Sequence, residues 1–150
     1  MIKGVIIKKL NKNVDSRGWL AEFYRRDEVD YKPAMGYISV TKPGVARGPH
    51  EHKKQSDAFV FMGPGNFELH LWDNRKKSST YGECQKFLVG ESNPVISIIP
   101  AGVVHGYKCV GLTDGWCVNL PDKLYRGKGK EGEIDEIRWE NNKELKYRIE

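Results

Sequence analysis

Apolar positions along this chain recur with the period of strands rather than helices. Met35–Thr41 reads MGYISVT and Phe67–Trp72 reads FELHLW, so one face of each segment is richer in apolar side chains than the other. Ala58-Phe59-Val60-Phe61 is instead a continuous apolar run, closed by the turn Gly63-Pro64-Gly65. That is the pattern of a strand buried on both faces. Further strands are predicted at Gly4–Lys8, Trp19–Tyr24, Gln85–Val89, Val95–Ile99, His105–Val110 and Gly115–Leu120. Turn signals at Pro43-Gly44, Asp73-Asn74, Tyr81-Gly82, Asn93-Pro94 and Pro100-Ala101-Gly102 divide them at the spacing of an all-β sandwich or barrel. From Arg126 the pattern changes to a charged C-terminal arm, with Ile134, Ile137 and Trp139 as its apolar anchors. The expectation is a single domain over 1–150, with 126–150 as an arm that docks, forms a short helix or stays partly disordered.

Composition narrows the partners. A chain of 150 residues with 39% hydrophobic content can close one sizeable core. Lys and Arg number 25 against 20 Asp and Glu, a net charge of +5 that favours an anionic partner. These cations are scattered and fit no nucleic-acid module, so a small phosphorylated ligand is expected rather than DNA or RNA. No apolar run reaches membrane-spanning length and the N-terminus lacks a signal-peptide layout, so the expectation is a cytoplasmic protein without membrane contact. Cys84, Cys109 and Cys117 form no C-x-x-C pair and are expected to be reduced thiols.

The candidate chemistry concentrates in Gly44–Gly63, GVARGPHEHKKQSDAFVFMG. Strand alternation places His50 and His52 on one face, with Arg47 just upstream and Asp57 at the start of the next strand. Pro100-x-Gly102-x-x-His105 supplies a third imidazole. Two chemistries fit. Three imidazoles and a carboxylate (His50, His52, Asp57, His105) can hold a transition-metal ion in an open site. Alternatively, His50 acts without a cofactor as a general base. The ligand count leaves both open.

Gly44-x5-His50-x-His52-x4-Asp57 and Pro100-x-Gly102-x-x-His105 resemble the two cupin motifs, which implies a cupin-type double-stranded β-helix, or jelly roll. The wider pattern resembles the dTDP-4-dehydrorhamnose 3,5-epimerases. It comprises Asp15-x-Arg17-Gly18 with Glu22, Arg47-Gly48-x-His50, Asp73-x-Arg75-x-x-Ser78-x-Thr80-Tyr81-Gly82, Ile99-Pro100-x-Gly102-x-x-His105-Gly106-Tyr107, and Glu131-Gly132 with Ile137-x-Trp139. The resemblance implies proton abstraction beside the ketone of a nucleotide-linked 4-keto-6-deoxy sugar. His50 would be the base, with His52 and Tyr37 as its nearest helpers. Arg47 and Lys54 would meet anionic groups, and Asp57, His105 and Asn119 the sugar. Tyr125 would stack on the nucleotide base, and Arg17 and Glu22 would bind the nucleotide in a neighbouring subunit of a homodimer. Among the departures from the family, its enolate-side lysine falls at about Asp57, its reprotonating tyrosine at about Asn119, and the Q-x-N pair ahead of R-G-x-H becomes Met35-x-Tyr37. Tyr37 or Tyr107 would then be the acid.

A second resemblance, to sugar 3,4-ketoisomerases, rests on Tyr37 ahead of Arg47-Gly48-x-His50-x-His52-Lys53. A metal-dependent cupin and a non-catalytic sugar-binding cupin are the remaining alternatives.

Overall fold

A computed structural model describes residues 1–142 and 146–150. In chain order the strands are β1 (Ile6–Lys9), β2 (Asn13–Asp15), β3 (Gly18–Leu20), β4 (Tyr37–Thr41), β5 (Ala46–Glu51), β6 (Asp57–Phe61), β7 (Asn66–Asp73), β8 (Cys84–Gly90), β9 (Val95–Ile99), β10 (Val103–Val110), β11 (Gly115–Asn119) and β12 (Ile137–Arg138). Two five-stranded antiparallel sheets carry the fold, in the orders β1-β9-β6-β11-β4 and β12-β5-β10-β7-β8, and β2-β3 forms a separate hairpin. This is the all-β jelly roll that the alternation predicts.

Burial explains which runs are continuous and which alternate. On β6, Phe59 and Phe61 point between the sheets, where they meet Phe67, Leu69, Leu71, Val95, Ile99 and Tyr107. Ala58 and Val60 point the other way, yet are also buried, with Ile96, Ile98, Leu10 and Tyr31. The segment between β1 and β4 lies over that outer face, so β6 and β9 are apolar on both sides. Tyr31 fastens the cover by donating its hydroxyl to the carbonyls of Leu120 (2.6 Å) and Ser56 (2.9 Å).

The strand predicted at Trp19–Tyr24 stops at Leu20. Within the chain β3 pairs with β2, in a hairpin of three residue pairs that belongs to neither larger sheet. The following residues leave it so that Tyr24 can donate its hydroxyl to the Tyr31 carbonyl at 2.7 Å. Cys109 and Cys117 are buried, Cys84 is exposed, and all three thiols are free.

The C-terminal arm is docked along its described part. Ile137 and Arg138 pair with Glu51 and His50 at the edge of β5. Trp139 donates its indole N–H to Glu51 Oε1 at 3.2 Å and meets the buried Tyr147 edge-to-face at 5.0 Å. Of the three expected anchors, Ile134 is half exposed, at the cavity wall rather than in the core. The expected helical stretch amounts to a single 3-10 turn at Lys128–Lys130, and residues 143–145 lie outside the described part.

At the end of β7, Asp73 is fully buried and accepts bonds from the Arg75 guanidinium (2.8 Å), the Ser78 hydroxyl (2.6 Å) and the Thr80 hydroxyl (2.6 Å). Burial alone would raise its carboxyl, but Arg75, Ser78 and Thr80 hold it well below the usual carboxylate range. Arg75 in turn donates to the Lys3 carbonyl at 2.6 Å, tying the N-terminus to this loop. A carboxylate with a depressed folded value stabilises the fold above its unfolded value and loses that contribution as pH falls through the folded one. Asp73→Asn is expected to destabilise the protein by about 2–4 kcal/mol at pH 7. The gap to wild type should narrow below about pH 4 in urea unfolding. An unchanged gap at both pH values would contradict this account.

Candidate active site

A cavity of about 1130 Å³ opens between the two sheets on the side of the docked arm. Its walls are set by three local features of the chain. The first is an irregularity in β5. His105 stands opposite His50, but Tyr107 stands opposite Arg47, so β5 carries one residue more than β10 across the same interval. This bulge brings Arg47 and His50, three apart in sequence, onto the same cavity. Gly48 makes it sterically feasible. Its φ is +82°, and a Cβ there would lie 2.8 Å from the His105 carbonyl oxygen.

The second feature is the graded inner face of β6. Phe59 and Phe61 enter the apolar core, whereas Asp57 at the strand's start is fully buried at the polar end. Asp57 Oδ1 accepts from the side-chain amides of Gln55 and Asn119, each at 3.1 Å. Its Oδ2 lies 3.0 Å from His52 Nε2 and 3.4 Å from His105 Nε2. The ring centroid of His50 is 4.5 Å from that of His105 and 5.4 Å from that of His52, and Phe59 lies edge-on to His105 at 5.4 Å. The expected cluster His50, His52, Asp57 and His105 therefore forms. Their potential ligand atoms all lie within 4.8 Å of one another. His50 and His52 face the cavity, and Asp57 and His105 are buried behind them.

The third feature is the arm. Asp135 accepts backbone N–H bonds from Lys53 (2.9 Å), Lys54 (2.8 Å) and Gln55 (3.0 Å), closing the turn between β5 and β6. Its carbonyl accepts the Nδ1–H of His52. The charged tail thus sets the orientation of a cavity imidazole.

These surroundings separate the histidines electrostatically. Burial, then the neighbouring His105 and His52, push His50 down to about 2, so it is a neutral imidazole at physiological pH. Asp57 is the neighbour that favours a proton on it. For His52 burial acts downward, but Asp57 and the Asp135 carbonyl more than offset it and raise the group. Burial would raise Asp57, yet His105 and His52 hold its carboxyl well below the usual range.

Opposite the histidines, Tyr37 on β4 stands directly across from Asn119 on β11. Asn119 donates its amide to the Tyr37 hydroxyl at 2.7 Å, joining this phenol to Asp57 through one side chain. Burial of the hydroxyl end raises Tyr37 above the usual phenol range and outweighs the Asn119 bond, although about half of the residue is exposed. The other tyrosine, Tyr107, is buried and shares a hydrogen bond with the Ser39 hydroxyl at 2.9 Å. Arg47 is held at the mouth by donating to Thr41 Oγ1 (2.9 Å) and the Val40 carbonyl (2.8 Å). Tyr125 also lines the cavity.

Asp57, His105 and Asn119 are buried behind the cavity wall rather than lining it, and three further expected residues are not brought to it within one chain. Arg17 and Glu22 sit on and after the β2-β3 hairpin, where they pair with Asp15 and Arg25. Lys54 contributes its backbone to Asp135 rather than its ammonium to the cavity wall. Sequence reasoning missed Gln55, Asp135 and the cations Lys123, Arg126, Lys130 and Arg138 along the mouth.

Comparison with known proteins agrees with this architecture. The dTDP-4-dehydrorhamnose 3,5-epimerase family model matches residues 1–140. The spore coat polysaccharide biosynthesis protein SpsL of Bacillus subtilis is 43% identical over 115 residues, 75% of each chain. A probable low-salt glycan biosynthesis epimerase of Haloferax volcanii is 38% identical over 127 residues, 83% of this chain and 81% of the relative. Among solved structures, a dTDP sugar isomerase from Desulfovibrio desulfuricans superposes with a TM-score of 0.81 at 22% identity, covering 91% of this chain and 84% of its own. A 3'-monoepimerase from Streptomyces bikiniensis, solved with dTDP-quinovose, gives 0.77 at 20% identity, covering 91% and 70%. The cupin jelly roll, the ordered motifs and the match over nearly the whole chain establish that this protein belongs to the dTDP-4-dehydrorhamnose 3,5-epimerase family of carbohydrate epimerases.

Proposed function

We propose that this protein epimerises a nucleotide-diphospho-4-keto-6-deoxyhexose at a carbon next to the ketone, with His50 as base and Tyr37 as acid. A 4-keto group acidifies the hydrogens at C3 and C5. A neutral imidazole removes one of them, leaving an enolate, and a proton returned to the opposite face inverts the carbon. His50 is a neutral imidazole at physiological pH, with one ring nitrogen free to accept a proton, and the nearby Asp57 favours the imidazolium that forms during abstraction. Arg47 and the other cations of the mouth suit a diphosphate, and Tyr125 suits stacking on a nucleotide base.

The observation that carries the reading is the Tyr37–Asn119 pair. Asn119 takes the place of the family's reprotonating tyrosine and cannot act as an acid there. The phenol one strand away is its cross-strand partner and is hydrogen-bonded to it. Its raised titration keeps it protonated and able to donate. Tyr107 is less suitable, because its hydroxyl is buried and shares a bond with Ser39.

The same reading includes a homodimer in the cytoplasm. No helix among the described residues is long and apolar enough to cross a membrane. Ile38 and Val40 on β4 and Trp116 on β11 form an apolar outer face, 59%, 44% and 46% exposed, of the kind that a second copy would cover. Arg17 and Glu22 would then reach the cavity of the neighbouring subunit.

Two outcomes in deuterated water test the assignment with dTDP-4-keto-6-deoxyglucose. Wild type should place deuterium at C3 or C5 and form a C3 or C5 epimer. His50→Asn should slow exchange by about 10²–10⁴-fold. Wild-type exchange in His50→Asn would remove His50 from the mechanism, and a 3-keto product would indicate a ketoisomerase instead. Tyr37→Phe should separate the two half-reactions: exchange persists by return from His50 on the original face, while epimer formation falls by about 10²-fold or more. An equal fall in both would contradict the acid role.

A further inference from the structure

β11 runs between β4 and β6, so Asn119 at its end can touch both Tyr37 of β4 and Asp57 of β6. Asn119 is buried and does not line the cavity, whereas Tyr37 does. Both hydrogens of its amide nitrogen are engaged. One goes to Asp57 Oδ1 at 3.1 Å and the other to the Tyr37 hydroxyl at 2.7 Å. The amide oxygen is buried without a hydrogen-bond partner among the described residues. A buried carbonyl left without a donor is costly, so this orientation needs a cause. Turning the amide over would offer its oxygen to the Tyr37 hydroxyl but set that oxygen against the Asp57 carboxylate. The bond to a charged carboxylate is the stronger demand. Asp57 therefore decides which way Asn119 points.

The fixed amide has two consequences for the phenol. An N–H that donates to the phenol oxygen occupies one of its lone-pair directions. The phenol's own hydrogen is then left for an acceptor in the cavity that Tyr37 lines. The second consequence appears when that hydrogen leaves as a proton. The charge that forms on the phenol oxygen meets an N–H already in place. A hydrogen bond to a charged oxygen is stronger than one to a neutral oxygen, so the contact tightens as the proton departs. The charge of Asp57 opposes a phenolate, and the Asn119 amide stands between the two.

We propose that Asn119 is the positioning residue of the acid: oriented by Asp57, it holds the Tyr37 phenol with its proton toward the cavity and stabilises the phenolate left after transfer. This rests on the reading of Tyr37 as the acid. In the step concerned, the O–H bond of Tyr37 breaks and a C–H bond forms at the enolate carbon. The enolate's π pair takes the proton and the C4 carbonyl re-forms, so one negative charge passes from the enolate oxygen to the phenol oxygen. Asn119 lies behind the wall and acts through Tyr37 rather than on the sugar.

Two measurements test this role. The first needs no turnover. Protein labelled with fluorotyrosine, whose phenols ionise at lower pH than tyrosine, is titrated by ¹⁹F NMR, and the Tyr37 resonance is the one missing from Tyr37→Phe. Loss of the donated bond disfavours the phenolate, so Tyr37 should ionise about half a pH unit or more higher in Asn119→Leu than in wild type. The second follows deuterium exchange and epimer formation from dTDP-4-keto-6-deoxyglucose in deuterated water. Asn119→Leu should lower epimer formation about tenfold or more beyond any loss of exchange. On a Tyr37→Phe background the same substitution should lower epimer formation by less than about threefold further. Circular dichroism establishes that each variant is folded, and Asn119→Ala, which removes the same N–H, replaces Asn119→Leu if the latter does not fold. An unmoved or lowered Tyr37 titration, a parallel fall in exchange and epimer formation, or an undiminished further loss on the Tyr37→Phe background would each overturn the role of Asn119. Wild-type epimer formation in Tyr37→Phe would overturn the acid reading itself, a failure that the turnover-free titration tells apart from failure of the Asn119 bond.

Discussion

The active side of this protein is arranged around one fully buried negative charge. A carboxylate removed from water is tolerated only if its oxygens are matched by donors or cations. Asp57 meets this requirement by hydrogen bonds at Oδ1, whereas Oδ2 has no hydrogen-bond partner among the described residues. Gln55 and Asn119 hold one oxygen, and His52 and His105 face the other. Each partner has a second engagement: His52 with Asp135, Asn119 with Tyr37, His105 with the Val103 carbonyl. The position of a proposed acid on β4 and that of an imidazole beside the proposed base are thereby referred to the same carboxylate.

The division of labour between scaffold and arm follows from the same packing. Two sheets bury Phe59, Phe61, Phe67 and their neighbours at one end, leaving the polar ends of β5, β6, β10 and β11 to surround a cavity. The turn after His52 has three backbone N–H groups that point to no strand, and Asp135 accepts all three. The charged C-terminal stretch is therefore part of the site. It closes one wall, orients His52 and adds cations at the mouth, while Trp139 and Tyr147 secure it against Glu51 and Asn74.

Much of this was legible in the sequence because it depends on local pattern. The continuous apolar run at β6 marked a buried strand, and His50, His52, Asp57 and His105 lie at spacings that a jelly roll brings together. Other features were not legible, because they depend on pairings between distant segments. Asp135 lies about eighty residues from the turn that it caps, and nothing near it in sequence marks its partner. The bulge that turns Arg47 toward His50 is defined by register against β10, not by residue type alone. Leu20 ends its strand because the hairpin belongs to neither larger sheet and Tyr24 is needed over the barrel. Ile134 looked like an anchor by hydrophobicity, yet the arm is held by Trp139 and Tyr147 instead.

The central claim is that a sugar ring lies between His50 on one wall and Tyr37 on the other. A crystal structure with a dTDP-linked 6-deoxy sugar tests this most directly. The account predicts His50 within about 3.5 Å of C3 or C5 on one face of the ring and the Tyr37 hydroxyl approaching the same carbon from the opposite face. A sugar with both side chains on one face, or a nucleotide seated outside this cavity, would contradict it.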